Sequence, residues 1–232
     1  MIRSWLFVFL LAICSANLQA QKQVAIISFY LDREVDFSLM QMFDDDSEKK
    51  IKKLMEDPEF NLDNTIEDFH QFITTDILPK APFQILDESL VTGSSSYQSL
   101  NALVDAEKSR LHEPAKTYLK LGNDFKDQFL PVAGEVNANG VMMVELKFFV
   151  RKNVLKTVIM AQVEINVRNT EGKQAYRYQE FGLSKEGINT FSGFVISKQD
   201  EVLPMFNEAI DDLKVKMSTN FEKRAQSAAK KL

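Results

Sequence analysis

Apolar and polar positions change period along the chain, and each period names an element. Val24 to Tyr30 is a nearly unbroken run of Val, Ile, Phe and Tyr, the pattern of a strand buried on both faces. Asp32, Arg33 and Glu34 stop the run, and residues 32–46 are polar and acidic. Ser47 to Glu56 predicts a short charged helix with Ile51, Leu54 and Met55 on one side, ended by Asp57-Pro58. Ile66, Phe69, Ile73 and Ile77 then recur at helical spacing, with Asn64 and Glu67 placed as a capping box. This predicts a helix over 64–78, closed by Pro79 and Pro82. Phe83 to Leu86 is a short strand candidate. "TGSSSYQS" (92–99) has the composition of a loop, and 100–130 reads as one or two amphipathic helices, broken near Pro114 or Gly122.

The second half switches to period two. Met142, Val144, Leu146, Phe148 and Val150 alternate with Met143, Glu145, Lys147 and Phe149, which predicts a strand over 139–150 with one largely polar face. Residues 157–168 repeat the device, with Ile159, Ala161, Val163, Ile165 and Val167 inward. "NTEGK" (169–173) predicts a hairpin turn, and Gln174 to Phe181 a third strand. Phe148 and Val163 should be buried in neighbouring strands, with Glu145 and Glu164 facing water. A last helix from about 200 to 223 or beyond carries Val202, Met205, Phe206, Ala209, Ile210 and Leu213 as its core stripe. The order is strand, helix, strand, helix, three-strand meander, closing helix, which predicts an α+β fold with helices packed on a mixed β-sheet. No internal repeat or linker divides it.

The first twenty residues stand apart. Arg3, an apolar run from Trp5 to Ile13, and small and polar residues ending at Ala20 form the pattern of a secretory signal peptide. Cleavage after Ala20 fits best, and cleavage after Ala16 is the alternative. Cys14 raises lipidation as a second reading, although Ile13 stands where a lipoprotein signal has a small residue. The expected organisation is a signal peptide over 1–20, one domain over 21–217, and a polar, partly flexible tail over 218–232.

Composition narrows the partners. Cleavage removes Arg3, taking 28 basic residues to 27 against 33 acidic ones and the charge from −5 to −6. That balance argues against nucleic acid and against a general affinity for anionic membrane. Cys14, the only cysteine, leaves with the signal peptide, so disulfide and thiol chemistry are not expected. With no Asn-x-Ser/Thr sequon in the chain, the expected home is the periplasm or cell envelope of a Gram-negative bacterium, with secretion beyond it as a further option. No later segment approaches bilayer-spanning length.

The segments "QVAIISFY" (23–30), "PFQILDESLV" (82–91), "NANGVMMVELKF" (137–148) and "NVRNTEGKQAYRY" (166–178), with the closing helix, together resemble one family. It is the small envelope domain shared by the curli secretion lipoprotein and the N-terminal part of the Tol-Pal translocation protein. The likeness covers most of 23–217 and is one of element order; the family usually has Asp where this chain has Asn139. It implies an envelope scaffold or adaptor rather than an enzyme, and it carries no functional residue across.

Candidate chemistry is sparse. His70 and His112 are the only histidines, with no second ligand at helical spacing for zinc. Asp44, Asp46 and Glu48 alternate like calcium ligands, but Lys49 and Met55 stand where an EF-hand needs Gly and Glu. "GSSS" (93–96) is not a nucleophile elbow. Neither a cofactor nor a metal is expected, and the chain reads as a non-enzyme. Two places suit partner binding. Asp32, Arg33 and Glu34 fall at the end of the first strand, where sheets with parallel strands bind ligands. Phe221, Lys223 and Arg224 place an aromatic among basic residues beyond the core stripe. The expected function is protein binding or assembly scaffolding by an exported envelope protein, with another envelope protein as partner. The alternative is a periplasmic small-molecule-binding protein or hydrolase, with a pocket built around His70 or His112.

Overall fold

A computed structural model describes residues 21–36, 62–100, 112–115, 118–119, 128–153, 156–189, 199–226 and 228–232. The helix expected over 47–56, the calcium-like Asp44, Asp46 and Glu48, and the signal peptide over 1–20 lie outside the described residues. The described elements are the strands β1 (Gln23–Asp36), β2 (Gln84–Ile85), β3 (His112–Pro114), β4 (Gly140–Asn153), β5 (Lys156–Asn169), β6 (Gln174–Leu183) and β7 (Ile188–Asn189), and the helices α1 (Asp63–Phe72), α2 (Glu88–Thr92), α3 (Ser95–Leu100), α4 (Leu130–Glu135) and α5 (Gln199–Ala225). They form an α+β fold. The strands make one mixed sheet in the order β2-β1-β4-β5-β6, with β3 also on β1 and β7 also on β5.

β1 runs parallel to β4 and β2, while β4, β5 and β6 are antiparallel neighbours. The tight turn between β5 and β6 uses Gly172 at φ 76°, and Asn169 Oδ1 accepts from the backbone N–H groups of Glu171 and Lys173. A second positive φ, 55° at Asn137, ends α4. The Ala138 N–H reaches Ala133 O and the Asn137 N–H reaches Gly134 O, a left-handed helix stop for which Asn is well suited. Asn139 follows, and its Oδ1 accepts the Gln23 N–H at 2.9 Å, a bond that either Asn or Asp can accept.

Different helices pack on the two faces of the sheet, those of the second face over β1 and the start of β4. Phe29, Leu146, Phe148 and Val163 lie on the face packed by α1 and α5, where Phe148 meets Phe206 edge-on at 4.5 Å. Ala25, Ile27, Val141 and Met143 lie on the other face, under Val91, Tyr97 and Val132 of α2, α3 and α4. A bulge in β1 sets which residue faces where. Ile26 is opposite Met142 and Ser28 is opposite Met143, so Ile27 is the extra residue. Beyond it the parity reverses, placing Phe29 and Leu31 on the α1/α5 face and Tyr30 and Asp32 on the other.

Several expectations need correction. The capping box at Asn64 and Glu67 does not form: α1 starts at Asp63 with Leu62 as N-cap and without a side-chain cap, so Asn64 already lies in the first turn. The helix does not stay regular to 78. It continues as a π turn over Ile73–Ile77 and a 3-10 turn over Leu78–Lys80. Thr74 and Thr75 hydroxyls donate to the His70 and Gln71 carbonyls there. "TGSSSYQS" is not a loop, because α2 and α3 occupy most of it. Asp87 accepts the Ser89 N–H to start α2, and Glu135, forty residues away, accepts from the Ser95 and Ser96 N–H groups to start α3. Composition could not reveal that distant cap. His112, expected in a helix, lies in β3.

The boundary at 217 also moves. α5 runs to Ala225, and Phe221, Ala225 and Ala228 are fully buried. Phe221 sits edge-on to Tyr178, with ring centroids 5.1 Å apart. Leu232 packs against the core, and Asn169 Nδ2 donates to Lys231 O. Phe221, Ala225, Ala228 and Leu232 therefore extend the core, since the helix crosses beyond Leu213 over the tyrosines of β6.

Candidate functional site

The sheet face opposite α5 carries the densest polar chemistry, and strand register builds it row by row. Ser28, Met143, Asn166 and Arg177 form one row across β1, β4, β5 and β6. Tyr30, Glu145, Glu164 and Gln179 form the next, and Asp32, Lys147, Gln162 and Phe181 the third. Two carboxylates, Glu145 and Glu164, thus stand directly opposite each other, an arrangement that costs stability unless cations intervene.

They do intervene. The Tyr30 hydroxyl donates to Glu145 Oε1, and Lys147 Nζ lies 3.0 Å from the same oxygen. Arg177 donates to Glu164 Oε2 at 2.7 Å, and Asn166 Nδ2 donates to Oε1. The two carboxylate side chains are 19% and 13% exposed, so the expectation that both face water fails. Their solvent is replaced by this network. Burial raises the Glu164 carboxyl, but the hydrogen bonds from Arg177 and Asn166 and the charges of Arg177 and Lys147 outweigh it and hold the group below its ordinary range. For Lys147 burial acts downward, and the charge and hydrogen bond of Glu145, with Asp32 and Glu164, win and raise it. Burial and then the Glu145 charge push the Tyr30 phenol far up. Tyr30 is a fixed proton donor, not a base. Each of the two facing carboxylates thus has its own cation, Lys147 for Glu145 and Arg177 for Glu164.

Asp32 belongs to this belt. The expectation that Asp32, Arg33 and Glu34 end the first strand is corrected: β1 continues to Asp36, with Val35 buried. Asp32 is half-buried, in register with Lys147 on one side and His112 on the other. Arg33 and Glu34 lie within β1, and their side chains are outside the described residues.

At the C-terminal end the structure separates the expected cluster. Phe221 is in the core, so it offers no aromatic for docking. The Arg224 guanidinium lies over Tyr178 at 5.6 Å and donates to Gln179 O. Lys223 is exposed. The basic residues remain at the surface, without the aromatic that was to accompany them.

His70 is buried, edge-on to Phe29 at 4.9 Å and 5.6 Å from the Tyr118 ring. It belongs to the packing between α1 and β1. Among the described residues no group of three His, Cys, Asp or Glu side chains could hold a metal ion.

An opening that sequence reasoning missed lies at the outer edge of β6. A groove of about 720 Å³ is lined by Arg151, Met160, Glu180, Phe181, Leu183, Lys216 and Asn220. Side chains alternate along β6, so the groove follows the strand edge from the charged face, where Phe181 and Leu183 point, to the α5 side, where Glu180 points. Phe181 is 36% exposed. Glu180 is occupied: it accepts from Asn220 Nδ2 at 2.9 Å, from the Tyr178 hydroxyl and from the Phe181 N–H. The sequence held a signal, because the outward positions of β6 change from Arg177 and Gln179 to Phe181 and Leu183, polar to apolar on one face.

No protein-family model matches the chain, and no curated protein matches it. Among solved structures it is similar to the hypothetical protein CT253 from Chlamydia trachomatis, with 12% identity and a TM-score of 0.38 over 90% of this chain and 99% of that one. It is also similar to lipoprotein GNA1162 from Neisseria meningitidis, with 9% identity and a TM-score of 0.32 over 84% of this chain and 99% of that one. The C-terminal domain of LpoB from Salmonella enterica follows, with 9% identity and a TM-score of 0.25 over 71% and 84% of the two chains. None of these three is a curli secretion or Tol-Pal protein. With each TM-score below 0.5, these likenesses carry no function to this chain.

Proposed function

We propose that the chain is an exported, non-enzymatic envelope protein that binds another protein and serves as a scaffold or adaptor. The observation that carries the reading is the groove along β6, where Met160, Phe181 and Leu183 offer an apolar floor beside a charged sheet face. Apolar contact area rimmed by charge is the anatomy of protein recognition. Two further features support it. The first twenty residues have the pattern of an export signal. Glu145 and Glu164 of the belt are also each engaged by a neighbouring cation instead of converging on an open site.

The small-molecule alternative draws on one observation, since the groove volume falls in the range of ligand pockets. Its lining, however, contains neither His70 nor His112, the residues on which that reading was built.

The test is chemical cross-linking of the full chain in a Gram-negative envelope, followed by pull-down and mass spectrometry. A defined protein partner is expected, lost in Phe181→Ser, with Gln21 as the N-terminal residue of the recovered chain. Recovery of no protein, together with a small molecule retained in native mass spectra, would overturn the reading in favour of the alternative. A lipid on Cys14 would replace the free exported form with a tethered one.

A further inference from the structure

We propose that the β6 groove takes an acidic peptide: a partner segment that seats an apolar side chain on Met160, Phe181 and Leu183 and sets a carboxylate against Arg151 and Lys216. This rests on the protein-binding reading above and names the partner's chemistry.

Charge is the first argument. Three charged residues line the groove, and two are cations. The one acid, Glu180, is engaged by Asn220, Tyr178 and the Phe181 N–H. Arg151 is exposed and has no ion pair among the described residues. Lys216 is ion-paired with Asp212 at 2.7 Å and keeps two of its three ammonium donors, so the uncompensated positive charge of the groove is that of Arg151. A locally cationic groove on a chain of net charge −5 is complementary to a carboxylate. An anionic lipid surface is drawn by a cluster of cations, and the two here give it little attraction.

The strand edge supplies the second argument. A peptide could in principle add to β6 as another strand. Here the Leu183 N–H is taken by Asp212 Oδ2 at 2.8 Å, and the Gln179 carbonyl by Arg224. With those backbone groups occupied from α5, recognition falls to side chains. Phe181 is one of three large hydrophobic residues exposed among the described residues, with Leu90 and Val215, and of these it alone lines the groove. An apolar anchor followed by an acid is the ligand that uses both parts.

Fluorescence anisotropy tests this with the chain from Gln21 to Leu232. The probe is a labelled heptapeptide carrying one phenylalanine followed by two glutamates; the control carries two glutamines instead. The acidic peptide is expected to bind about tenfold more tightly than the control. Arg151→Glu should remove that preference without changing the melting temperature, because Arg151 is exposed. Phe181→Ser should weaken both peptides. Rising salt should erode the preference but not the residual apolar binding. Equal affinity for the two peptides, or an unchanged preference in Arg151→Glu, overturns the proposal. Binding of the chain to phosphatidylglycerol vesicles that Arg151→Glu abolishes would also overturn it, assigning the cations to lipid. If neither peptide binds at concentrations up to about 1 mM while the cross-linked partner still depends on Phe181, the acidic anchor is wrong and the protein-binding reading stands. If the partner is absent as well, both fall.

Discussion

Replacing Phe221 by alanine asks whether the last turns of α5 belong to the core. The ring is fully buried and meets Tyr178 at 5.1 Å and Tyr176 at 6.3 Å, edge-on to both. Truncation removes the transfer free energy of a phenylalanine and leaves a cavity between α5 and β6, together about 3–5 kcal/mol. Against a total stability of roughly 5–15 kcal/mol, that is a large share. At about 2–4 °C per kcal/mol for a domain of this size, the melting temperature should fall by roughly 6–20 °C. Glu222→Ala, one residue on and exposed, is the control and should stay within about 0.5 kcal/mol of the parent. Thermal melts and urea titrations followed by circular dichroism measure both. An unchanged urea slope would attribute the loss to the folded state. Ending the chain after Met217 should do more damage, since Ala225, Ala228 and Leu232 leave together with Phe221. The reasoning is refuted if Phe221→Ala melts within about 2 °C of the parent or if the chain ending at Met217 keeps its full stability.

Two other outcomes are expected. A Cβ on Gly182 would stand 2.0 Å from the Ala209 carbonyl oxygen and 2.4 Å from the Leu213 nitrogen, so Gly182→Ala must push α5 off the sheet. It should cost at least the roughly 1–3 kcal/mol of ordinary overpacking, and a variant as stable as the parent would mean that α5 is not seated there. The second concerns acid. Because the folded pKa of Glu164 lies below its unfolded value, near 4.3, its stabilisation is complete above that value and is lost as pH falls through the depressed folded one. Arg177→Met removes the main opposing interaction while burial remains, so acid unfolding should begin at higher pH. The same acid midpoint in both proteins would show that the belt does not set it.

Much of the fold could be read locally. Period-two alternation located β4 and β5, with Phe148 and Val163 on the buried side, and "NTEGK" located the turn between β5 and β6. The helical stripe from Met205 to Leu213 located α5, because each pattern records which side of an element meets the core. The partner-binding residues were less legible. Asp32, Arg33 and Glu34 looked like the end of a strand because charge usually marks exit to water, whereas here Asp32 pairs with β3 and β4 and the strand resumes its pairing at Asp36. Phe221 looked isolated because its contacts, Tyr176 and Tyr178, lie some forty residues earlier.

The sequence by itself determined the alternation of strands and helices, the acidic balance, the single cysteine and the leader-like start, all properties of neighbouring residues or of simple counts. Tertiary structure alone decided that Glu145 faces Glu164, since that requires the register of β4 on β5. It also decided that Tyr30 reaches Glu145, because one extra residue at Ile27 reverses the parity of β1. And it decided that Arg151, Phe181 and Lys216 share a groove: the β4–β5–β6 register brings the first two together, and packing α5 onto Gly182 adds Lys216.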